Sequence, residues 1–270
     1  MKSNEPADGR REGNQVPVIE RMLDILEIIE RRSEGANIRE LSDFLEMPRS
    51  TVYRILNTLE ARGIVRRGIS GAYILGPRLL SLAANVSIGP SVGMADVAIA
   101  HLERLSLLTG EASKLSVKDG DDVLVILAVL GSGEYGLNIK SGRRLPLYAG
   151  AASRVLLAYS QDEEILSTLK TPLRKFTDHT VLDPRKLAKE LKLIRAQGWA
   201  FDNEEYSAGV VAVAAPVRNE RGEVVAAVSI PFLSTRDDSK IKELRMAVCS
   251  AASAISEDLM ARSSHRYARR

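Results

Sequence analysis

One cysteine, Cys249, stands in a chain of 270 residues, so no internal disulfide can form, and the reducing cytoplasm is the simpler setting. Histidine is nearly as scarce: His101, His179 and His265 are scattered along the chain. Together with Cys249 they give no ligand spacing for zinc, and they support no Ser-His-Asp arrangement. No apolar run approaches a bilayer span; VLVILAVL, from Val123 to Leu130, is the longest and reads as a buried strand. The opening MKSNEPADGRREGNQ lacks the apolar stretch of a secretory signal. There is no internal repeat and no low-complexity tract. These absences point to a soluble cytoplasmic protein with no membrane partner, no metal and no cofactor. Its length exceeds one ordinary domain and its apolar content is 45%, so two domains with real cores are expected.

What is present is unevenly spread. The net charge is only +3, yet Met47 to Arg78 holds Arg49, Arg54, Arg62, Arg66, Arg67 and Arg78 against the single acid Glu60, a local excess of +5. Such a cluster is often no more than a solvated face, and it acquires meaning only if local structure gathers it on one surface. Ile19, Met22, Leu23, Leu26 and Ile29 recur at helical spacing, giving an amphipathic first helix over Val18 to Glu30. A second helix opens at Asn37 with Glu40 three positions on, the spacing of a capping box. After a short turn at Met47-Pro48, Val52, Ile55, Leu56 and Leu59 stripe a third helix. Ser50, Tyr53, Arg54 and Asn57 therefore share its opposite face, with Arg49 and Thr51 at its amino end. Three short helices, the last two joined by a tight turn, make a helix-turn-helix, whose second helix enters the major groove. GIVRRGISGAYIL then reads as a hairpin, a wing that would set Arg66 and Arg67 beside the same DNA.

Beyond Gly76 an apolar connecting helix is expected, and Gly89, Pro90 and Gly93 mark a boundary. The remainder alternates strand and helix. Met94 to Leu108, Ala151 to Tyr159, Glu163 to Leu169, Pro184 to Gln197 and about Ser239 to Met260 are expected helices. Ala112 to Val117, Val123 to Val129, GVVAVAAPV and EVVAAVSI are expected strands. Antiparallel strands flanked by helices describe an α+β domain with one sheet. GPSVG, from Gly89 to Gly93, fits the G-x-S-x-G pattern of a hydrolase elbow, but that motif needs a preceding strand, and a helix is expected there. DNEEY offers paired carboxylates; without a nearby nucleophile or base it reads as a surface acidic loop that lends Asp202 to a pocket.

From Val18 to about Arg262 the order of parts resembles the IclR family of bacterial transcription regulators. NIRELSDFLEMPRSTVYRILNTLEARGIV looks like its DNA-binding core, and SGRRLPLYAGAASRVLLA is similar to the segment that opens its effector pocket. GWAFDNEEYSAGVVAVAAPVRNERGEVVAAVSI resembles its most specific signature. The resemblance implies an amino-terminal winged helix-turn-helix, a linker helix and a GAF-like effector-binding domain. It places a small effector near Gly150, Ala151, Asp202, Ala212, Ser229 and Pro231. The chain departs from the common pattern in several places: cysteine is frequent where Ala212 stands, a small polar residue where Pro231 stands, histidine where Tyr148 stands, and Gly-Lys where Ser153-Arg154 stands. The losses at 212 and 231 imply a roomier or more apolar pocket.

The expected organisation is a disordered start (1–15), a winged helix-turn-helix (16–76), a linker helix and boundary (77–92), an effector domain (93–262) and a solvated basic tail (263–270). The expected DNA-binding residues are Arg49, Ser50, Thr51, Tyr53, Arg54, Asn57, Arg66 and Arg67, with no catalytic residue. The expected function is an effector-responsive repressor. It would bind a double-stranded, near-palindromic operator as a homodimer or homotetramer, switched by a small metabolite. An activator of the same family and an assembly protein without an effector remain as alternatives.

Overall fold

A computed structural model describes residues 16–32, 34–83, 93–133, 137, 139–235 and 237–267, and the chain divides into two compact units, Met1–Val86 and Ser87–Arg270. Residues 84–92, which hold the end of the expected linker helix and all but the last glycine of GPSVG, lie outside the described residues. So do the expected disordered start and the last three residues.

In the first unit α1 (Pro17–Arg31) begins at a proline, whose missing amide costs a helix start nothing, and it buries Ile25, Ile28 and Ile29. α2 (Ile38–Phe44) is held at its start by the capping box: Glu40 N donates to Asn37 Oδ1 at 3.0 Å, and Asn37 N donates to Glu40 Oε2 at 2.9 Å. The turn into α3 (Arg49–Ala61) is tight enough to put Glu46 at φ 51°, and the buried Ser42 hydroxyl donates to Met47 O at 2.6 Å to fix it. α3 buries Val52, Ile55, Leu56 and Leu59 against the two earlier helices. β1 (Val65–Arg67) and β2 (Tyr73–Leu75) form an antiparallel hairpin, and Tyr73 bridges back to Ala36. Gly35 precedes that bridge at φ 78°, and a Cβ there would lie 2.3 Å from Tyr73 O, so only glycine fits. α4 (Arg78–Ala83) buries none of its residues.

The second unit is built on one antiparallel sheet of order β5-β4-β3-β8-β7-β6. Its strands are β3 (Ser113–Asp119), β4 (Asp122–Val129), β5 (Arg144–Pro146), β6 (Ala200–Asn203), β7 (Val210–Arg218) and β8 (Val224–Leu233). Helices cover both faces, so the central strands carry apolar residues on both sides. On one face Val211, Val213 and Val217 of β7 join Val228, Ile230 and Phe232 of β8 beneath α5 (Met94–Thr109) and α9 (Asp238–Tyr267). His101 on α5 reaches Asp258 on α9 at 2.8 Å. On the other face the strands present small residues, Ala212, Ala214 and Ala227, beneath α6 (Ala151–Ala158). All eight residues of α6 are buried, because α8 (Pro184–Gln197) packs over it through Leu187, Leu191 and Ile194. α7 (Asp162–Lys170) buries none of its residues and starts with three acids at the positive end of its dipole.

The short strands β5 and β6 are not among the expected ones; at three and four residues they are too brief to show a periodicity. The last helix was expected to end near Met260, before a basic tail, yet α9 continues to Tyr267. No glycine or proline interrupts the sequence after Asp238, so nothing stops the helix near Met260. DNEEY is likewise no surface loop throughout, since Asp202 and Glu205 are only 5% and 7% exposed.

Burial of Glu205 is explained by Arg154, itself 3% exposed on α6. Arg154 Nη2 donates to Glu205 Oε1 and to Phe201 O, each at 2.6 Å, and Nη1 bonds Glu190 of α8. One guanidinium thereby ties α6 to α8 and to the end of β6. It faces more negative charge than it can neutralise. Burial, Asp202 and Glu190 push the Glu205 carboxyl up to about 7 against the opposing pull of Arg154. Between its ordinary 4.5 and about 7 the folded protein holds a proton that the unfolded chain has released. This contribution to stability is fully present below the unfolded value and is lost as pH rises through the folded one. Glu205→Gln keeps an acceptor for Arg154 and removes the titration. Thermal melting followed from pH 5 to pH 8 should show the native chain losing stability relative to the variant by on the order of 1–3 kcal/mol. Parallel curves would contradict this reading.

Candidate functional site

Two surfaces carry the residues singled out in the sequence, one in each unit. In the first, burial of the Val52, Ile55, Leu56 and Leu59 stripe turns the other side of α3 outward. Arg49, Ser50, Tyr53 and Arg54 are exposed, Tyr53 by 48%, and Thr51 and Asn57 are partly so. Pro48 supplies no side-chain cap, so the amides of the first turn of α3 are not spoken for by a neighbouring side chain. Thr51 and Arg54 stand at the flank of this face and also line an apolar groove shared with Val18, Ile19 and Met22 of α1.

All six arginines between Met47 and Arg78 are exposed. Arg67 is the one among them whose pairing with an acid is seen among the described residues, at 3.7 Å from Glu60. Its guanidinium also lies 5.0 Å from the centre of the Tyr73 ring and donates to the Tyr73 hydroxyl at 2.9 Å. Arg67 is thus partly a brace for the hairpin, whereas Arg66, its exposed neighbour on β1, is not held this way.

In the second unit Gly150, Ala151, Asp202, Ala212, Ser229 and Pro231 all line one cavity of about 180 Å³. Sheet register explains the convergence. Asp202 pairs with Ala212 and Ala212 with Pro231, making one row across β6, β7 and β8. Ala214 pairs with Ser229 and Ser229 with Lys114, making the next row on the same face, across to β3. Gly150 caps α6 above these rows at φ 98°; a Cβ there would meet only ordinary contacts at 3.8 Å and beyond, so the backbone angle is what calls for glycine.

The cavity is not lined by small and apolar residues alone. Lys114, Arg143, Ser153, Tyr206 and Ser207 also line it, and they escaped the sequence reading. Lys114 left a trace: in SKLSV it alternates with Leu115 and Val117, so a polar residue sits on an inward face of a strand buried on both sides. Arg143 left none, since it belongs to the turn before a strand of three residues.

Polar groups here are incompletely satisfied by the protein. Ser153 and Ser229 are fully buried, and neither Oγ has a hydrogen-bond partner among the described residues. Asp202 Oδ1 accepts from Glu205 N at 2.8 Å. Burial raises the Asp202 carboxyl above its usual range, while the backbone amides of Glu205 and Tyr206 and the charges of Arg154 and Lys114 pull the other way. The Lys114 ammonium is lowered to about 8, first by burial and then by the charge of Arg143, with Asp202 opposing. Cys249 lies on α9 outside this cavity, partly buried, and burial pushes its thiol up, away from reactivity. Among the described residues no helix is long and apolar enough to cross a membrane.

Comparison with known proteins agrees with this division. The model of the IclR helix-turn-helix domain matches residues 18–68, and that of the bacterial transcriptional regulator IclR C-terminal domain matches residues 90–257. The HTH-type transcriptional regulator Rv1719 of Mycobacterium tuberculosis is 34% identical over 254 residues, covering 94% of this chain and 95% of its own. The HTH-type transcriptional repressor AllR of Salmonella paratyphi A is 30% identical over 233 residues, covering 81% of this chain and 80% of its own. The crystal structure of an IclR homolog of Microbacterium hydrocarbonoxydans, complexed with 4-hydroxybenzoate, superposes with a TM-score of 0.76 at 27% identity, covering 90% of this chain and 98% of the other. The two curated relatives are transcriptional regulators rather than enzymes, and an exposed recognition helix beside a wing is the DNA-binding part such regulators share. The chain belongs to the IclR family of bacterial transcriptional regulators.

Proposed function

We propose that the protein is an effector-responsive repressor that binds a near-palindromic operator as a homodimer and is switched by a small metabolite in the cavity of its second unit. The observation that carries the DNA half is the exposed polar face of α3, flanked by arginines with almost no acid beside them. Ser50, Thr51, Tyr53 and Asn57 present short hydrogen-bonding groups to base edges or sugar-phosphate. Arg49 and Arg54 are readers of guanine or clamps on phosphate, and Arg66 with Arg67 holds the backbone from the wing. One such module touches only a few base pairs, so specificity calls for two copies on two half-sites. α4 leaves Leu80 and Leu82 75% and 47% exposed, which suits a contact between copies.

The effector half is supported by the six expected residues lining one cavity with two unpartnered buried hydroxyls. The homolog holding 4-hydroxybenzoate supports a small organic acid as the kind of ligand. The name of AllR supports repression over activation. Coupling of about 1–3 kcal/mol changes operator affinity by about 5–150-fold, and no chemical step is required.

Two measurements test these halves separately. Arg49→Ala with Arg54→Ala should weaken specific operator binding by about 100-fold or more in fluorescence anisotropy, with an unchanged melting temperature because both side chains are exposed. Undiminished binding would remove α3 as the reading element. In a metabolite panel scored on operator binding, Asp202→Asn and Ser229→Ala should each raise the effector concentration needed by about 10-fold. A native response in both variants would show that the switch lies elsewhere.

A further inference from the structure

Lys114 is set apart from the other lysines of the chain by where it stands. It belongs to β3, an interior strand paired with β4 on one side and β8 on the other. Its neighbour Leu115 packs into the layer with α5 and α9, so the pleat sends Lys114 to the opposite face, where it is the one lysine lining the cavity. Among the described residues its side chain makes no ion pair and no hydrogen bond. Lys118, Lys175 and Lys240, by contrast, are paired with Glu164, Asp178 and Glu243. An acid at that range favours the ammonium, which has no lone pair to offer.

The charges facing Lys114 favour the free amine. Arg143 lines the same cavity from the turn before β5, and Asp202, on β6, is the one acid in the lining. From α6 comes Arg154, whose guanidinium is taken up by Glu205, Glu190 and Phe201 O. Burial first and the Arg143 charge second lower Lys114 to about 8, with Asp202 opposing. On the order of a tenth of Lys114 is then free amine at pH 7, against about one in three thousand for a lysine at the ordinary 10.5. A desolvated lysine beside a second cation is a setting in which the amine becomes a nucleophile toward carbonyl carbon. Ser229 lies directly across from Lys114 on β8, at the ~4.5–5.5 Å Cβ spacing of cross-strand neighbours. Its buried hydroxyl has no partner among the described residues and can donate to a carbonyl oxygen beside the amine. A space of about 180 Å³ suits a short chain or a single ring, since a cavity of about 150 Å³ takes benzene.

We propose that Lys114 is a covalent capture site for a small aldehyde, its Nζ forming an imine with the carbonyl carbon inside the cavity. The free amine adds to that carbon, the π pair of the C=O bond moves to oxygen, and the carbinolamine then loses water. The water carries away the carbonyl oxygen and both hydrogens of the amine, so nothing is oxidised or reduced and no co-reactant enters. Hydrolysis returns the aldehyde and the amine unchanged, which makes this capture and release rather than turnover. An acid group elsewhere on the ligand is compatible with the capture and is not required by it. The capture rests on the cavity itself, and only its consequence for operator binding rests on the effector reading.

Reductive trapping reads the imine directly. The full chain is treated at pH 7 with a limiting amount of butyraldehyde or benzaldehyde in the presence of sodium cyanoborohydride, which converts an imine to a stable secondary amine. Peptide mass spectrometry then locates the alkylated lysines. With at least one of the two probes Lys114 should be alkylated about 10-fold or more faster than any other lysine, and the preference should vanish in denaturant. Its rate should rise with pH and level off above about 8. Arg143→Gln takes away the neighbouring cation and should slow the alkylation of Lys114 at pH 7 by about 3-fold or more; Arg143 is exposed, so the core is left intact. Alkylation of Lys114 no faster than that of Lys118 with either probe, or a preference that survives denaturant, overturns the proposal and leaves the effector cavity standing. Fast alkylation of Lys114 with operator binding unchanged upholds the capture and counts against the effector reading instead.

Discussion

The second unit depends on the inequality of the two faces of β7. Along Val211, Ala212, Val213 and Ala214 the side chains alternate between branched and minimal, and the pleat sends each kind to its own side. The valine side fills the layer beneath α5 and α9. The alanine side lets α6 come down close to the sheet, and α8 then closes over α6. Ala214 packs under α6, and because Ala212 stops short beneath its amino end, space remains there, and this is the cavity. A branched residue at either position would meet α6 or fill the space. Packing of the core and shape of the cavity are thus one constraint. In such a close-packed interior an added methyl or two is costly, typically by 1–3 kcal/mol.

The first unit works by a division of the same kind on a helix. A period of 3.6 residues puts Val52, Ile55, Leu56 and Leu59 inward and leaves Ser50, Tyr53 and Arg54 outward. The arginines then matter because of what is missing around them: a single glutamate, Glu60, and it approaches only Arg67 among the described residues. A solvated helix face usually intersperses both signs, whereas a surface meant for a polyanion keeps its cations free. Arg67 shows the compromise a wing must make, since one side chain both stacks on Tyr73 to hold the hairpin and stays open to the outside.

How much of this was legible follows from the length scale of each signal. The helices and long strands announce themselves through repeated periods, and the capping box at Asn37 and Glu40 through a fixed spacing. β5 and β6 did not, because strands of three and four residues carry no period of their own and exist only by pairing with β4 and β7. The polar part of the cavity lining was missed for a related reason. Ala212 and Pro231 were weighed as polar groups lost, when polarity arrives from elsewhere. Lys114 is brought in as the cross-strand partner of Ser229, and Arg143 by a turn. Register between distant strands is a tertiary fact, invisible to any window of sequence. DNEEY was misread because an acidic run looks solvated until its counter-charge, Arg154, is found on another helix.

Arg154 also bears on how a ligand could matter to the protein. Its bond to Phe201 O ends one residue before Asp202, so β6 meets the buried guanidinium at one position and the cavity at the next. A group that binds Asp202 acts on the same short strand that Arg154 ties to α6 and, through Glu190, to α8. The energy needed is modest. A ligand shifts a conformational equilibrium only by the difference in its affinity for the two states. One hydrogen bond to a charged group, made in one state and lost in the other, supplies about 1.5–3 kcal/mol, which matches the coupling typical of allosteric regulators. β6, with four residues and a single neighbour, is the edge strand on that side of the sheet.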